Sequence, residues 1–544
     1  MTMFFDFSQH KIFQSVIIFA VLIVGVGLFV ISGPDSPVNP ESMGIFLERT
    51  KSSFIYWWNY KVTAPENLKL LKTRDGLLAL ASDIFLGDTT YYYSARTEGI
   101  ARSVPVLLYH GESYQSIALP NFIDHMHALK NAGWNTIGMN DLYVYIKDGK
   151  PLPDKSFLLT FDDGRKDSYY PTDPVLKDVG FKATMFVITA FSLPKNNLDS
   201  SFYLSPAELA GMQQSGRWEF GSHGQNDHSW YQIGSSTDQI GHFLSNKLWL
   251  PGWLGESAER RVETETEFRQ RVAEDLLDSK KDIENSLGPA IGFAFPFNDY
   301  GQETVNYGDA KNIISELVPA AYQMAFYQTT AADGDTFNYP ASEQYMLKRI
   351  EPALDWSGEK LIQVLEESRA KNLSYEQTGK FGDEWIRTWG TIVKDSKLSL
   401  SASKDSTGAA AFLNGSGWWD DYTFTTKITL RSGSDVSVMA RYQDSKNFFM
   451  CTLSGARVVA EERINGASRM VSEGKLASPP KGEMELGVSV RGTSGDCLVN
   501  GQQISGGVIT NQKIKNSGGI GMQVWDIRTA YADMSVSRVL VTER

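Results

Sequence analysis

Phe157-Leu158-Leu159-Thr160-Phe161-Asp162-Asp163-Gly164 is an apolar run that ends in two adjacent carboxylates and a glycine. Such a run reads as a strand buried on both faces, as in a parallel sheet. Adjacent side chains of an extended strand point to opposite faces. Both aspartates therefore reach one pocket only if the chain turns there, and Gly164 permits the turn. His223 and His228 follow some sixty residues later, after the short strand Glu219 to Ser222. One carboxylate and two histidines are the donor set of a catalytic metal site, which keeps a further position for water. Asp163, His223 and His228 fill that set, and Asp162 is left to act as a base. Read alone, Asp-Asp-Gly is an ordinary turn; its position at a strand end, with the histidines at another, is what points to chemistry.

Outward from this strand, elements alternate. Val104 to His110 reads as a short buried strand and Asn121 to Ala132 as an amphipathic helix closed by Gly133. Tyr170 to Val179 reads as a helix ended by Gly180, and Ala183 to Thr189 as a β-branched strand. Glu267 to Leu287 is a long helix with Val272, Leu276, Ile283 and Leu287 on one face; Ile291 to Phe295 is a strand that stops at Pro296. Strand-helix alternation over this length predicts a parallel α/β sheet or barrel with its functional residues at the C-terminal strand ends. From about residue 380 helical spacing disappears. Tyr422 to Leu430, Asp435 to Tyr442, Asn447 to Leu453, Glu485 to Val490 and Ile520 to Val524 alternate between turn residues, as in an all-β sandwich.

The 544 residues suffice for about three units. Net charge is -12 and no basic run occurs, which excludes nucleic acid as the expected partner. Val16 to Ile31 is uncharged and apolar, near the length of a membrane-spanning helix. It is longer than the core of a cleaved signal peptide, and no small-x-small site follows it. The expectation is a single-pass anchor with the bulk of the chain on the extracytoplasmic side. The domains expected are thus 1–32 (anchor), 33–100 (linker and extension), 101–375 (α/β domain) and 380–544 (sandwich). Cys451 and Cys497, the only cysteines, read equally as a disulfide or as two buried thiols.

Residues Val104 to about Ala370 resemble the polysaccharide deacetylase family, also called the NodB-homology or carbohydrate esterase family four domain. The resemblance rests on VPVLLYH, GWNTIGMNDL, LTFDDG (159–164), KATMFVIT, GSHGQNDH (221–228) and FAFPFNDYG (293–301). It implies a distorted (β/α) barrel, Asp162 as base, and Asp163, His223 and His228 as ligands of a divalent metal. Zinc is the default, and nickel, cobalt or iron would tolerate the same donors. The five-residue histidine spacing resembles the poly-N-acetylglucosamine deacetylase branch. The backbone N–H of Phe297 would help hold the oxyanion. Two departures stand out: Ala294 occupies a place where many members carry an arginine, for which Arg349 is the substitute, and no histidine follows His242 to act as the usual acid. His110, at the end of the first strand, is the candidate for that role. His125 and His127 read as structural, and His242 as surface or loop.

The C-terminal part resembles, more weakly, a concanavalin-like or laminin-G-like jelly roll. Trp418, Trp419, Tyr442 and Trp525 are its candidate sugar-stacking residues, against the commoner use of aromatic rings as packing. The resulting expectation is a metal-dependent enzyme that removes N-acetyl groups from an extracytoplasmic poly-N-acetylhexosamine, with exopolysaccharide export proteins as candidate partners. The alternatives are a polysaccharide-binding module without turnover, and an O-acetyl esterase or peptidoglycan deacetylase.

Overall fold

A computed structural model describes residues 99–544 apart from 112–116, 195–199, 201, 251–259, 330–332, 341 and 515. The expected anchor and most of the 33–100 extension lie outside the described residues. No helix within them is long and apolar enough to cross a membrane.

Two bodies of different architecture follow one another. In the first, the barrel strands are β1 (Val106–Tyr109), β2 (Ser156–Phe161), β3 (Ala183–Val187), β4 (Trp218–Ser222), and, after a small hairpin of β5 (Trp230–Gln232) and β6 (Ile240–His242), β7 (Gly292–Ala294), β8 (Met324–Gln328) and β9 (Leu347–Arg349). They pair in parallel in the order β1-β2-β3-β4-β7-β8-β9. The ring is closed by one bridge, Leu107 to Ile350, whose hydrogen bonds run from Leu108 N–H to Ile350 O (2.9 Å) and from Ile350 N–H to Val106 O (2.8 Å). The result is a nearly closed parallel barrel.

Helices α1 (Leu119–Asn131), α2 (Met139–Asp148), α3 (Asp173–Val179), α4 (Pro206–Gln214), α5 (Glu265–Leu287), α6 (Ala310–Ala321) and α7 (Gly358–Ser368) accompany the strands. The α3 helix is shorter than its sequence suggests, because Pro174 sits in its first turn and sets its start. Helix α5 begins two residues early: Thr264 caps it and exchanges hydrogen bonds with Glu267 in a capping box. Its buried face carries Arg271, Asp275 and Ser279 beside the expected apolar residues.

The second body is β apart from a 3-10 turn at Gln512–Ile514. An eight-stranded and a seven-stranded antiparallel sheet enclose a common apolar core that includes Leu398, Phe424, Val438, Phe449, Val488 and Val536. Tyr375–Thr378, at the expected domain boundary, already belongs to it through pairing with Asp533–Glu543. Cys451 on one sheet and Cys497 on the other form a disulfide with Cα atoms 5.4 Å apart, so the thiol alternative is set aside. The bodies are joined by polar contacts. Asp335 accepts from the N–H groups of Gly415 (2.8 Å) and Gly417 (2.5 Å), and the indoles of Trp418 and Trp419 both donate to Lys371 O at 2.9 Å.

Candidate metal centre

The two carboxylates leave β2 in sequence and diverge immediately. Asp163 has a left-handed backbone (φ 73°), as does Gly164 (φ 70°). The turn therefore starts one residue earlier than the glycine suggests, on an aspartate, a residue type that tolerates this region. Gly164 is needed for a different reason as well: a Cβ there would lie 2.9 Å from Ser192 Oγ.

Asp163 turns toward the histidines. Its Oδ1 is 3.5 Å from His223 Nε2 and 3.3 Å from His228 Nε2, and the three donor atoms lie within 4.8 Å of one another. His223, at the end of β4, is buried, and its Nδ1 is 2.8 Å from Ala294 O. A carbonyl only accepts, so Nδ1 carries the hydrogen and Nε2 presents a lone pair to the cluster. Burial holds the His223 imidazole down to about 4, which keeps it neutral and able to ligate. Asp163 Oδ1 is buried and accepts no hydrogen bond. A buried carboxylate oxygen without a hydrogen bond, facing the His223 lone pair and the Nε2 of His228, is an arrangement that a cation would satisfy. The donors fit a divalent metal.

Asp162 faces Arg349, which arrives from β9. Nη1 and Nη2 contact its two oxygens at 2.6 and 2.8 Å, and both side chains are buried. Burial would raise the carboxyl, but the guanidinium, with help from His223 and His110, outweighs it and holds Asp162 down at about 2. His110 lies just past β1, with Nδ1 3.0 Å from Glu351 Oε1. Burial lowers its pKa, yet the Glu351 bond and the charges of Asp162 and Asp163 more than compensate, and the net shift is upward.

Phe297 also has a left-handed backbone (φ 55°). Its ring is sandwiched between His228 (centroids 4.3 Å apart) and His242 (4.6 Å apart). His242 is therefore neither loop nor free surface. It ends β6, and its Nδ1 is 3.3 Å from the carboxylate of buried Asp299, to which the Ser245 hydroxyl donates. Sequence reasoning missed it because β5 and β6 form a hairpin outside the α/β rhythm.

Helix α5 fixes the loop that carries the histidines. Asp275 accepts from the N–H groups of Gln225 (2.9 Å) and Asn226 (2.8 Å) and from the Asn226 amide (3.1 Å), while Ser279 and Ser222 share a 2.6 Å hydroxyl contact. A signal for this existed. Asp275 and Ser279 stand one turn apart on the face defined by Val272 and Leu276, where polar residues call for a partner.

The sandwich aromatics fall into two groups. Trp419 is fully buried in the core, and Trp418 is half-buried under Arg102, whose guanidinium is 5.2 Å from the ring. Both indoles are tied to the junction with the barrel, and the buried Trp419 leaves no ring face for a sugar. Tyr442 and Trp525 line a 920 Å³ cleft on the outer face of the seven-stranded sheet, together with Trp389, Arg457 and Glu461. Tyr442 is buried there, stacked between Phe412 and Phe448.

Residues 149–313 match the family described as Polysaccharide deacetylase. The chain carries a polysaccharide deacetylase domain. A Bacillus subtilis protein provisionally named polysaccharide deacetylase YxkH is 32% identical over 124 residues, 22% of this chain and 42% of that protein. A poly-beta-1,6-N-acetyl-D-glucosamine N-deacetylase of Staphylococcus aureus is 31% identical over 116 residues, 21% of this chain and 39% of its own length. The chain thus spans less than half the length of these curated relatives. Among solved structures, a de-N-acetylase from Aggregatibacter actinomycetemcomitans is 19% identical, with a TM-score of 0.39 over 48% of this chain and 99% of that one.

Proposed function

We propose that the chain hydrolyses N-acetyl groups of a poly-N-acetylhexosamine polysaccharide. The observation that carries this reading is the buried Asp163 Oδ1, facing the Nε2 atoms of His223 and His228 with no hydrogen bond of its own. A divalent cation held by these three residues, zinc by default with nickel, cobalt or iron accommodated by the same donors, would supply a water of lowered pKa and polarise the acetyl carbonyl.

The chain's own groups divide the remaining work. Arg349 keeps Asp162 ionised, and each Asp162 oxygen retains a lone pair that the guanidinium does not use. Asp162 takes the proton lost by the attacking water. The oxygen adds to the acetyl carbon, the carbon-nitrogen bond breaks, and His110, protonated against Glu351, gives the leaving nitrogen its proton. The left-handed Phe297 supports a role for its N–H at the carbonyl oxygen. Acetate departs, and the polymer gains an amine that is cationic at neutral pH.

The apolar run Val16 to Ile31 supports an extracytoplasmic placement on a single anchor, and the cleft beside Trp525 supports a glycan-holding role for the sandwich. Acetate release tests the central claim. With zinc added, the wild type is expected to release acetate from N-acetylated but not O-acetylated glycans, and Asp162→Asn to release none. Release from O-acetylated glycans alone would make it an esterase; none from either, with metal bound, would leave a binding module.

A further inference from the structure

Exposed aromatic rings are scarce on this protein and unevenly placed. Among the described residues five Phe, Trp or Tyr side chains are exposed: Phe191, Phe202, Trp230, Phe297 and Tyr531. All but Tyr531 stand around the Asp163, His223, His228 cluster. Water-exposed rings of this size are otherwise covered, so their concentration at one place marks a surface built to be covered by a ligand.

They form two groups that reach the cluster through different ligands. On one side Arg165 Nη1 is 3.7 Å from Asp163 Oδ2, and its guanidinium lies 4.6 Å over the Phe202 ring. Tyr203 meets Phe202 edge-on at 4.9 Å and stacks on Phe191 at 4.6 Å. On the other side Phe297 stacks on His228, and Trp230 stands 6.1 Å from Phe297 and 4.4 Å from His242. The first group belongs to segments that follow β2 and β3, the second to segments that follow β4 and β7.

Not every ring in these groups has a free face. His228 and His242 cover both faces of Phe297, whereas Phe191, stacked on Tyr203, and Phe202, under the Arg165 guanidinium, each have one face taken. Trp230, 57% exposed, and Phe202, 39% exposed, are the most exposed rings of their two groups. A pyranose presents an apolar face of C–H groups that packs on such rings. A free sugar would need one of them; a chain that passes over the metal cluster meets both.

We propose that Phe202 and Trp230 are sugar-stacking residues on the two sides of the metal cluster, so that the unit deacetylated is an internal one of an N-acetylated glycan chain. This rests on the deacetylase reading above and adds which part of the polymer is bound.

The test uses β-1,6-linked N-acetylglucosamine oligomers from monomer to hexamer. For the wild type, kcat/KM is expected to rise at least tenfold with length, and sequencing of the partly reacted hexamer by mass spectrometry to place the first amines at internal units. Trp230→Ala and Phe202→Ala should each flatten the length dependence, cutting hexamer kcat/KM fivefold or more through KM. Trp230→Phe should restore much of it, and Tyr531→Ala should change nothing. An unaltered length dependence in both alanine variants, or amines confined to chain ends, would overturn the proposal. If the wild type released no acetate the deacetylase reading would fail, and calorimetric binding of the hexamer to the zinc-loaded protein would still decide this one. Binding weakened fivefold by either alanine substitution supports it, and binding that is absent or indifferent to both overturns it.

Discussion

Arg349 reaches from the last barrel strand to grip both oxygens of Asp162, at 2.6 and 2.8 Å, with neither side chain open to solvent. Breaking such a pair from one side leaves a buried charge without compensation, at a cost of about 3 to 5 kcal/mol. Arg349→Met is therefore expected to destabilise the protein by about that much in denaturant titrations and to lower kcat. The pH dependence has a definite sign. Asp162 is depressed, so the pair's contribution is complete above the ordinary carboxylate range and fades as pH falls toward about 2. In Arg349→Met burial is left to raise the Asp162 carboxyl, so this acid loss should disappear and the substitution should cost less stability as pH falls. Equal acid profiles for the two proteins would show that the pair does not set the Asp162 ionisation.

His110 is displaced in the opposite direction. Its raised pKa means that the Glu351 contact stabilises the fold below the ordinary histidine value and is lost as pH rises through the raised one. An acid with this pKa disappears on the alkaline side of the rate profile. Glu351→Gln should move that alkaline limb to lower pH while leaving the acidic limb in place. An unmoved limb would assign it to another group.

Metal binding can be read without turnover. Asp163→Ala or His228→Ala should remove most of the thermal stabilisation that zinc gives the wild type, which is about 2.7 kcal/mol when zinc stands at a hundred times its dissociation constant. A chelator should reverse the gain in the wild type. Stabilisation by zinc that survives both substitutions would place the ion elsewhere.

Asp275 never touches the cluster, yet it holds the backbone of Gln225 and Asn226 between the two histidines. Removing an outer partner of this kind usually weakens metal affinity about 10- to 100-fold. Asp275→Ala should show that loss in a competition titration, with the α5 helical signal retained. Unchanged affinity would mean that Ser279 and the Tyr231 hydroxyl, which donates to Asn226 O at 2.7 Å, suffice to hold the loop.

The disulfide closes a 46-residue separation across the two sheets. A loop of that size restrains the unfolded chain by about 4 kcal/mol in the chain-entropy account. The double replacement Cys451→Ala, Cys497→Ala should lower sandwich stability by an amount of that order and leave zinc affinity at the barrel unchanged.

The barrel and its ligands were legible because their signals are local. A strand end, a turn residue and a histidine pair each announce themselves within a few positions, and FLLTFDDG lies where the apolar run placed it. What was hidden depends on contacts distant in sequence. His242 acquires its place only when β6 folds over Phe297, and Glu351 meets His110 only when the last strand returns to the first. The sandwich tryptophans show the same limit from the other side. Nothing in Trp418-Trp419 says that both rings seal a junction, because Lys371 O and Arg102, which occupy them, come from the other body. The left-handed turn at Asp163 was half visible: the neighbouring glycine signalled a turn, and the aspartate itself adopted it.

The single bridge that closes the barrel has a consequence for how its labour is divided. His110 follows one side of that seam, and Arg349 and Glu351 bracket the other at Ile350. The ligands instead stand on β2 and β4, which are zipped to a common neighbour, β3. Groups that must stay put are rooted in continuous sheet, whereas the acid His110 and the arginine that tunes the base line its thinnest joint. A small opening of that joint would detune acid and base together and leave the cation's seat undisturbed.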